Sequence, residues 1–553
     1  MQQTKKDSAL TGNTVIVGGG IAGLVTALTL LEKGQQVIIV DRDTKERLGG
    51  LARWAFGGMA LCNTAEQKRM KIPDDQNLLL KDWHSFANFS EQDIWPKAWA
   101  KEYAENNYNK VYCWVKNLGL SFLPAVNWVE RGLHVPGNTV PRYHVLWGTG
   151  WQLIEKIIDK LAPYLENNQL VIYHQRKVNS VLMKNEQAYG VSLVDEKSVD
   201  KNVFELHADN VVIACGGING STERVKQNWY KPWGKPPTSL LNGANPISDG
   251  KLHDEIVSKG GVVTHSDKMW NYAAGIKHPQ AEFDGHGLSL IPCKSALWLD
   301  HTGKRIGPMP LITGFDTNYL CQQVAKQEKP WTWQVLNWRI AAKELAVSGS
   351  MHNPSIRDKK LFIFLKEILL GNHSLVTQLI DESEDVLCAN SVEELVVKMN
   401  QCTDQDYLDS RQLEQEIKEY DQRLKSGEAL QNDEQVRRIN HARQWRPDKL
   451  RTCKPQAILS ESASLKKGDK LIAIKLQLIS RKSLGGVQTN LQSQVLDTKQ
   501  QAITGLYCVG EAAGFGGGGA SGFRSLEGTF LSGCILTAQN AADAILDSDK
   551  EKE

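Results

Sequence analysis

Between Asn138 and Gly150 the chain reads Asn138-Thr-Val-Pro141-Arg142-Tyr143-His144-Val-Leu-Trp147-Gly148-Thr149-Gly150, crowding acid–base and aromatic side chains against a glycine turn. Tyrosine and histidine donate or accept a proton when held beside a reacting group. One reading is therefore a loop that brings Tyr143 or His144 to a substrate. The other is a strand with alternating faces and a helix start at Gly148 to Trp151. Successive strand side chains point to opposite faces, so Arg142 and His144 share one face, Tyr143 takes the other, and the three cannot act together.

What would stand beside this segment is indicated by four glycine signatures. The first, Thr14-Val-Ile-Val-Gly18-Gly19-Gly20-Ile21-Ala22-Gly23, enters Gly-x-Gly-x-x-Gly from an apolar run and leads into a helix-like stretch and a second apolar run, Val37 to Val40. In strand, turn, helix and strand, Gly18 serves the tight turn, Gly20 lets main chain approach a pyrophosphate, and Gly23 lets helix pack on strand. Asp41 then accepts the ribose hydroxyls of an adenosine, with Arg42 beside it. The second signature, Gly49-Gly50-Leu51 with Gly57-Gly58-Met59, follows where a cofactor longer than NAD would continue. The third is the apolar run ending in Ala214-Cys215-Gly216; Asp249 is a further expected contact. The fourth runs from Gly505 through Gly510-Glu511 to Gly528-Thr529 and an apolar helix-like stretch from Phe530 to Leu546. Glu511 is placed to accept from a ribityl chain, and the helix starting near Gly528 would aim its positive end at a flavin ring. In this order the four signatures call for FAD.

The motif positions predict an α/β fold: a discontinuous, Rossmann-like FAD-binding domain over residues 1–270 and 465–553, with an α+β cap inserted over 271–464. Leu413, Ile417, Tyr420 and Leu424 recur at helical spacing and predict a cap helix stopped by Ser426-Gly427. Trp83, Trp95, Trp99, Trp114, Trp128, Trp147 and Trp151 crowd between the second and third signatures, where most serve a core and a few could line an apolar pocket.

Composition narrows the function classes. The formal charge of +2 makes no case for nucleic acid or an anionic membrane surface. The 10 cysteines form no Cys-x-x-Cys pair, which suits buried thiols in a reducing cytoplasm and leaves electrons to an external donor or acceptor. Residues 14–31 carry no charge and follow Lys5 and Lys6, as in a membrane anchor, but three consecutive glycines would interrupt its helix, so no membrane span is expected. Asp381-Glu-Ser-Glu-Asp385 reads as a solvated loop or helix start, and no metal site is expected.

Over residues 14 to about 300 and 470 to 546 these motifs resemble the succinate dehydrogenase/fumarate reductase flavoprotein superfamily, and within it the FAD-binding dehydrogenases near the 3-ketosteroid dehydrogenases. The resemblance implies that Arg524 corresponds to a substrate-anchoring arginine and that Lys482 stands where dicarboxylate reductases carry a histidine. It also puts Phe315 where those reductases carry a proton-donating arginine, and Leu51 where succinate dehydrogenases attach flavin covalently, so FAD is expected to be non-covalent. The chemistry implied is hydride exchange between flavin N5 and a carbon–carbon bond next to a carbonyl or carboxylate, in an apolar or carbonyl-bearing small molecule. Arg524 first and Lys482 second would hold the developing oxyanion. A flavin oxidase of an amine or alcohol and a non-catalytic FAD-binding protein are the alternative readings.

Overall fold

The apolar runs beside the glycine signatures become neighbouring strands. In the computed structural model, which describes residues 12–197, 202–307, 309–426, 431–459 and 469–550, Gly12–Val17 lies between Val37–Val40 and Phe204–Ile213, parallel to both, with Val15 opposite Ile38 and Val211. Ala502–Cys508 extends the sheet beside Phe204–Ile213, and Leu170–Tyr173 beside Val37–Val40, again in parallel. All four residues of Val37–Val40 are buried, as continuous apolar runs in a parallel sheet should be. An antiparallel meander, Arg176–Lys184 and Gln187–Asp195, joins through Phe204–Ile213.

The helices Ile21–Leu31 and Thr529–Lys550 share one core, in which Leu24, Leu28, Ile535 and Ala538 are each at most 2% exposed. An early and a late helix thus pack together on one face of the parallel sheet. Lys5 and Lys6 lie outside the described residues.

A second sheet, mostly antiparallel, carries the intervening chain. Its order runs Leu297–Leu299, Trp331–Asn337, Leu471–Ser483, Met269–Lys277, Gly287–Ile291 and Ala346–Val347. The 13-residue strand Leu471–Ser483 is central: it also pairs with Val386–Ala389 and Leu241–Asn242. This strand follows residue 465, yet it belongs to the second sheet, so chain from both sides of the expected boundary builds this half. Residue 465 itself lies outside the described residues. Ser410–Arg423 is a helix that buries Leu413, Ile417 and Tyr420 against the sheet's core; Gly427 of the expected stop is not among the described residues. Asp385 is no solvated acid: it accepts from the Lys277 amide at 2.7 Å and pairs with Lys475 at 3.0 Å, with its side chain buried.

Candidate active site

A cavity of about 510 Å³ runs from the first glycine turn across the end of the parallel sheet to the second sheet. Its inner wall is main chain. Gly18 has φ +115°, and a Cβ there would stand 2.4 Å from the Ala214 carbonyl oxygen; a Cβ on Gly23 would stand 2.0 Å from that of Gly18. Turn, helix and neighbouring strand are therefore in contact through backbone alone. A Cβ on Gly20 would meet nothing within 4 Å, because the space above it is the cavity. This is a cradle that fits a dinucleotide pyrophosphate at a helix N-terminus.

Gly18, Gly20, Ile21, Ala22, Asp41, Arg42, Gly49, Gly50, Leu51, Gly57, Gly58, Ala214, Cys215, Gly216, Asp249 and Glu511 all line this cavity. Gly23, Met59, Gly510, Gly528 and Thr529 do not; they stand behind the wall, and Met59 is fully buried. Asp41 takes hydrogen bonds from the amides of Gly19 and Asp43, which fixes its carboxylate at the strand end, while burial raises its pKa. Arg42 pairs with Glu196 at 3.0 Å and Asp249 at 3.2 Å. Glu511 accepts from the Ser483 amide at 2.9 Å, and burial pushes its pKa to about 7. The residues present fit FAD.

The outer part of the cavity is walled by side chains from distant segments. Tyr143 sits on a three-residue strand paired with Gly58–Ala60. Its phenol occupies the space a Cβ on Gly58 would need, 2.0 Å from the hydroxyl, and its ring lies 3.0 Å from a Cβ on Gly528. Glycines of the second and fourth signatures thus make room for this ring. Among the described residues the Tyr143 hydroxyl has no hydrogen-bond partner, and it faces the cavity. Burial raises its pKa, with Glu527 adding to the effect and Arg451 opposing it, so the phenol stays protonated.

Opposite lies a polar group carried by the second sheet and the last glycine loop. The Glu527 carboxylate accepts from Trp270 Nε1 at 2.7 Å and from the Tyr272 hydroxyl at 3.0 Å. Lys482 Nζ is 3.4 Å from the Tyr272 hydroxyl and 4.2 Å from the Phe530 ring centre. Burial lowers the Lys482 pKa to about 8, against the pull of Glu527 and Glu511. Burial also raises Tyr272 well above the phenol range. Glu130, accepting from the Thr317 amide at 3.0 Å, is raised to about 8 by burial and by Asp316. Arg451 lines the cavity, surrounded by protein yet open to its space, and makes no hydrogen bond or ion pair with described residues.

Two of the four sequence candidates for chemistry, Tyr143 and Lys482, share this chamber, and two do not. His144 is buried on the other face of its strand, held by Thr64 Oγ1 at 2.8 Å and the Arg142 carbonyl at 2.7 Å; burial lowers its pKa to about 4 and keeps it neutral. Arg142 is locked between Asp74 and Asp82. Arg524 does not line the cavity: it pairs with buried Asp316 at 3.4 Å and lies over Phe523. Phe315 is also core, in a cluster with Ile312 and Ile439. Sequence reasoning missed Tyr272, Glu130 and Arg451 as wall residues, because they sit in segments without any local signature. Of the clustered tryptophans, Trp83 and Trp99 are core and Trp128 lines the cavity.

Comparison with known proteins agrees with an FAD-binding fold. A family model described as "FAD binding domain" matches residues 13–531. A KsdD-like steroid dehydrogenase of Mycobacterium tuberculosis is 36% identical, over 96% of this chain and 95% of its own length. Among solved structures, 3-ketosteroid delta1-dehydrogenase from Sterolibacterium denitrificans has a TM-score of 0.69 at 14% identity, covering 97% of this chain and 100% of that one. A flavocytochrome c3 fumarate reductase has a TM-score of 0.67 at 18% identity, covering 98% of this chain and 79% of that one. These two structural likenesses are of fold.

Proposed function

The chain belongs to the FAD binding domain family and is an FAD-dependent oxidoreductase; from that premise we propose that it introduces or removes a carbon–carbon double bond beside the carbonyl of an apolar small molecule. The observation that carries this reading is the unpartnered Tyr143 hydroxyl, held between two flavin-side glycines and open to the cavity. A protonated phenol in a dry site donates a hydrogen bond to a ketone oxygen and makes the adjacent C–H bond more acidic. The relatives named as steroid dehydrogenases support a ring ketone as the substrate class.

FAD would be held by the glycine cradle, Asp41 and Glu511, and would supply two-electron exchange with the substrate. The chain's own residues handle the proton. Tyr272 stands between Glu527, 3.0 Å away, and Lys482, 3.4 Å away, so its oxygen can take a proton from substrate while passing its own to either neighbour. Lys482 accepts that proton only when neutral. Electrons leave to, or arrive from, an external partner, and Arg451 is an open cation available to a second polar group on the substrate.

The test is anaerobic mixing of the holoprotein with saturated ring ketones, their enones, fumarate, and simple amines and alcohols, following flavin absorbance. Bleaching by a ring ketone with formation of the enone is expected. Bleaching by amines or alcohols alone, followed by fast reoxidation in air, would replace this reading with an oxidase.

A further inference from the structure

The helix Leu361–Leu370, Leu-Phe-Ile-Phe-Leu-Lys-Glu-Ile-Leu-Leu, presents most of its apolar side chains to the outside. Leu361 is 51% exposed, Phe362 87%, Ile363 49%, Leu365 42%, Leu369 61% and Leu370 68%. Only Phe364, Glu367 and Ile368, at spacings of three and one, turn inward, and these three line the cavity. A helix that is apolar nearly all round belongs against hydrocarbon or protein.

The charges around the patch identify its counterpart. Lys359 and Lys360 precede the helix and Lys366 stands on its outer face, all exposed. The nearby acids are used: Asp358 pairs with Arg357 at 2.7 Å and Lys360 at 3.3 Å, and Glu367 accepts from Ser355 inside. Lys359 and Lys366 have no ion pair with described residues.

We propose that this helix docks the protein on an anionic lipid surface, with six apolar side chains in the acyl boundary and the lysines at the phosphates. A second copy of the chain is a poorer occupant, since a two-fold contact would bring the unpaired Lys359 and Lys366 of both copies into one interface while Asp358 and Glu367 are already engaged. At 10 residues the helix is about 15 Å long, half the hydrocarbon thickness, so it lies on the bilayer. No helix among the described residues is long and apolar enough to cross. Because the inner face of the same helix walls the cavity, docking sets a substrate chamber directly beneath the lipid, where an apolar substrate partitions. This surface stands independently of the reaction proposed above.

The experiment is flotation of the holoprotein with vesicles of phosphatidylcholine alone and of phosphatidylcholine with phosphatidylglycerol. Flotation with the anionic vesicles, weakened by salt, is expected. Phe362, Leu369 and Leu370 do not line the cavity, so the triple variant F362S/L369S/L370S should keep its flavin, keep its flavin bleaching by substrate, and lose flotation at least about tenfold. The double variant K359E/K366E, which leaves the apolar side chains intact, should lose the preference for anionic vesicles. Failure of the wild type to float with anionic vesicles, or unchanged flotation of both variants, overturns the proposal. So does a wild-type dimer that the triple variant converts to monomer without any lipid binding.

Discussion

On the nucleotide side of the cavity the fit is set by backbone: absent Cβ atoms at Gly18 and Gly23, and amides that hold Asp41 in place. On the far side it is set by Tyr143, Tyr272, Glu527, Lys482 and Arg451, drawn from separate segments. Where backbone already fills the Cβ position, as at Gly18 and Gly23, such a wall tolerates no added atom. A side-chain wall can lose a functional group and keep its shape. Substitutions on the two sides should therefore fail in different ways: the first by losing cofactor and fold, the second by losing chemistry while the flavin stays.

The sharpest break is Gly23→Val. Its Cβ would fall 2.0 Å from the Gly18 carbonyl oxygen, so little soluble protein and no bound flavin are expected; a yellow, normally loaded variant would refute the backbone account. Acid precipitation of the wild type should release all flavin to the supernatant, since Leu51 offers no covalent attachment.

Next in size is Tyr143→Phe, which keeps the ring between Gly58 and Gly528 and removes only the hydroxyl. Full flavin content and turnover reduced by about 10²–10⁴ are expected, measured by steady-state rates and absorbance on one preparation. Unchanged turnover would move the carbonyl-polarising role elsewhere on the wall.

The pH profile separates Lys482 from its neighbours. Its burial-lowered pKa of about 8 means that it is charged below that pH and neutral above it. If it is the final proton acceptor, the dehydrogenation rate rises as pH passes through about 8, and Lys482→Met flattens that limb. A rise that survives in the variant removes Lys482 from the proton path.

The smallest effect is expected from Arg524→Ala. Its guanidinium pairs with Asp316 outside the cavity, so turnover should stay near wild type while stability falls by about 1 kcal/mol, read from thermal unfolding. Loss of turnover at full flavin content would return Arg524 to the chemistry.

The two walls were also unequally legible. Strand Val37–Val40, the turn after Gly12–Val17, and the long C-terminal helix follow from local patterns, because each depends on apolar runs and glycines close in sequence. Residues such as Tyr272 and Arg451 carry no such pattern; a tyrosine in a buried strand and an arginine ending a six-residue helix look like any others. His144 and Tyr143 are adjacent in sequence and similar in chemistry, yet only Tyr143 lines the cavity. Net charge is also silent on how charges are distributed. A whole-chain value of +2 averages away the lysines around one exposed apolar helix.

From its sequence alone, then, this protein is an FAD oxidoreductase of α/β type, because the constraints a dinucleotide imposes are on main chain and so must be written as glycines at fixed local spacing. Which side chains face the substrate was decided only in three dimensions. The strand Leu471–Ser483 crosses into the second sheet and carries Lys482 to Tyr272 and Glu527, a meeting of residues 210 and 45 positions apart that no local spacing encodes.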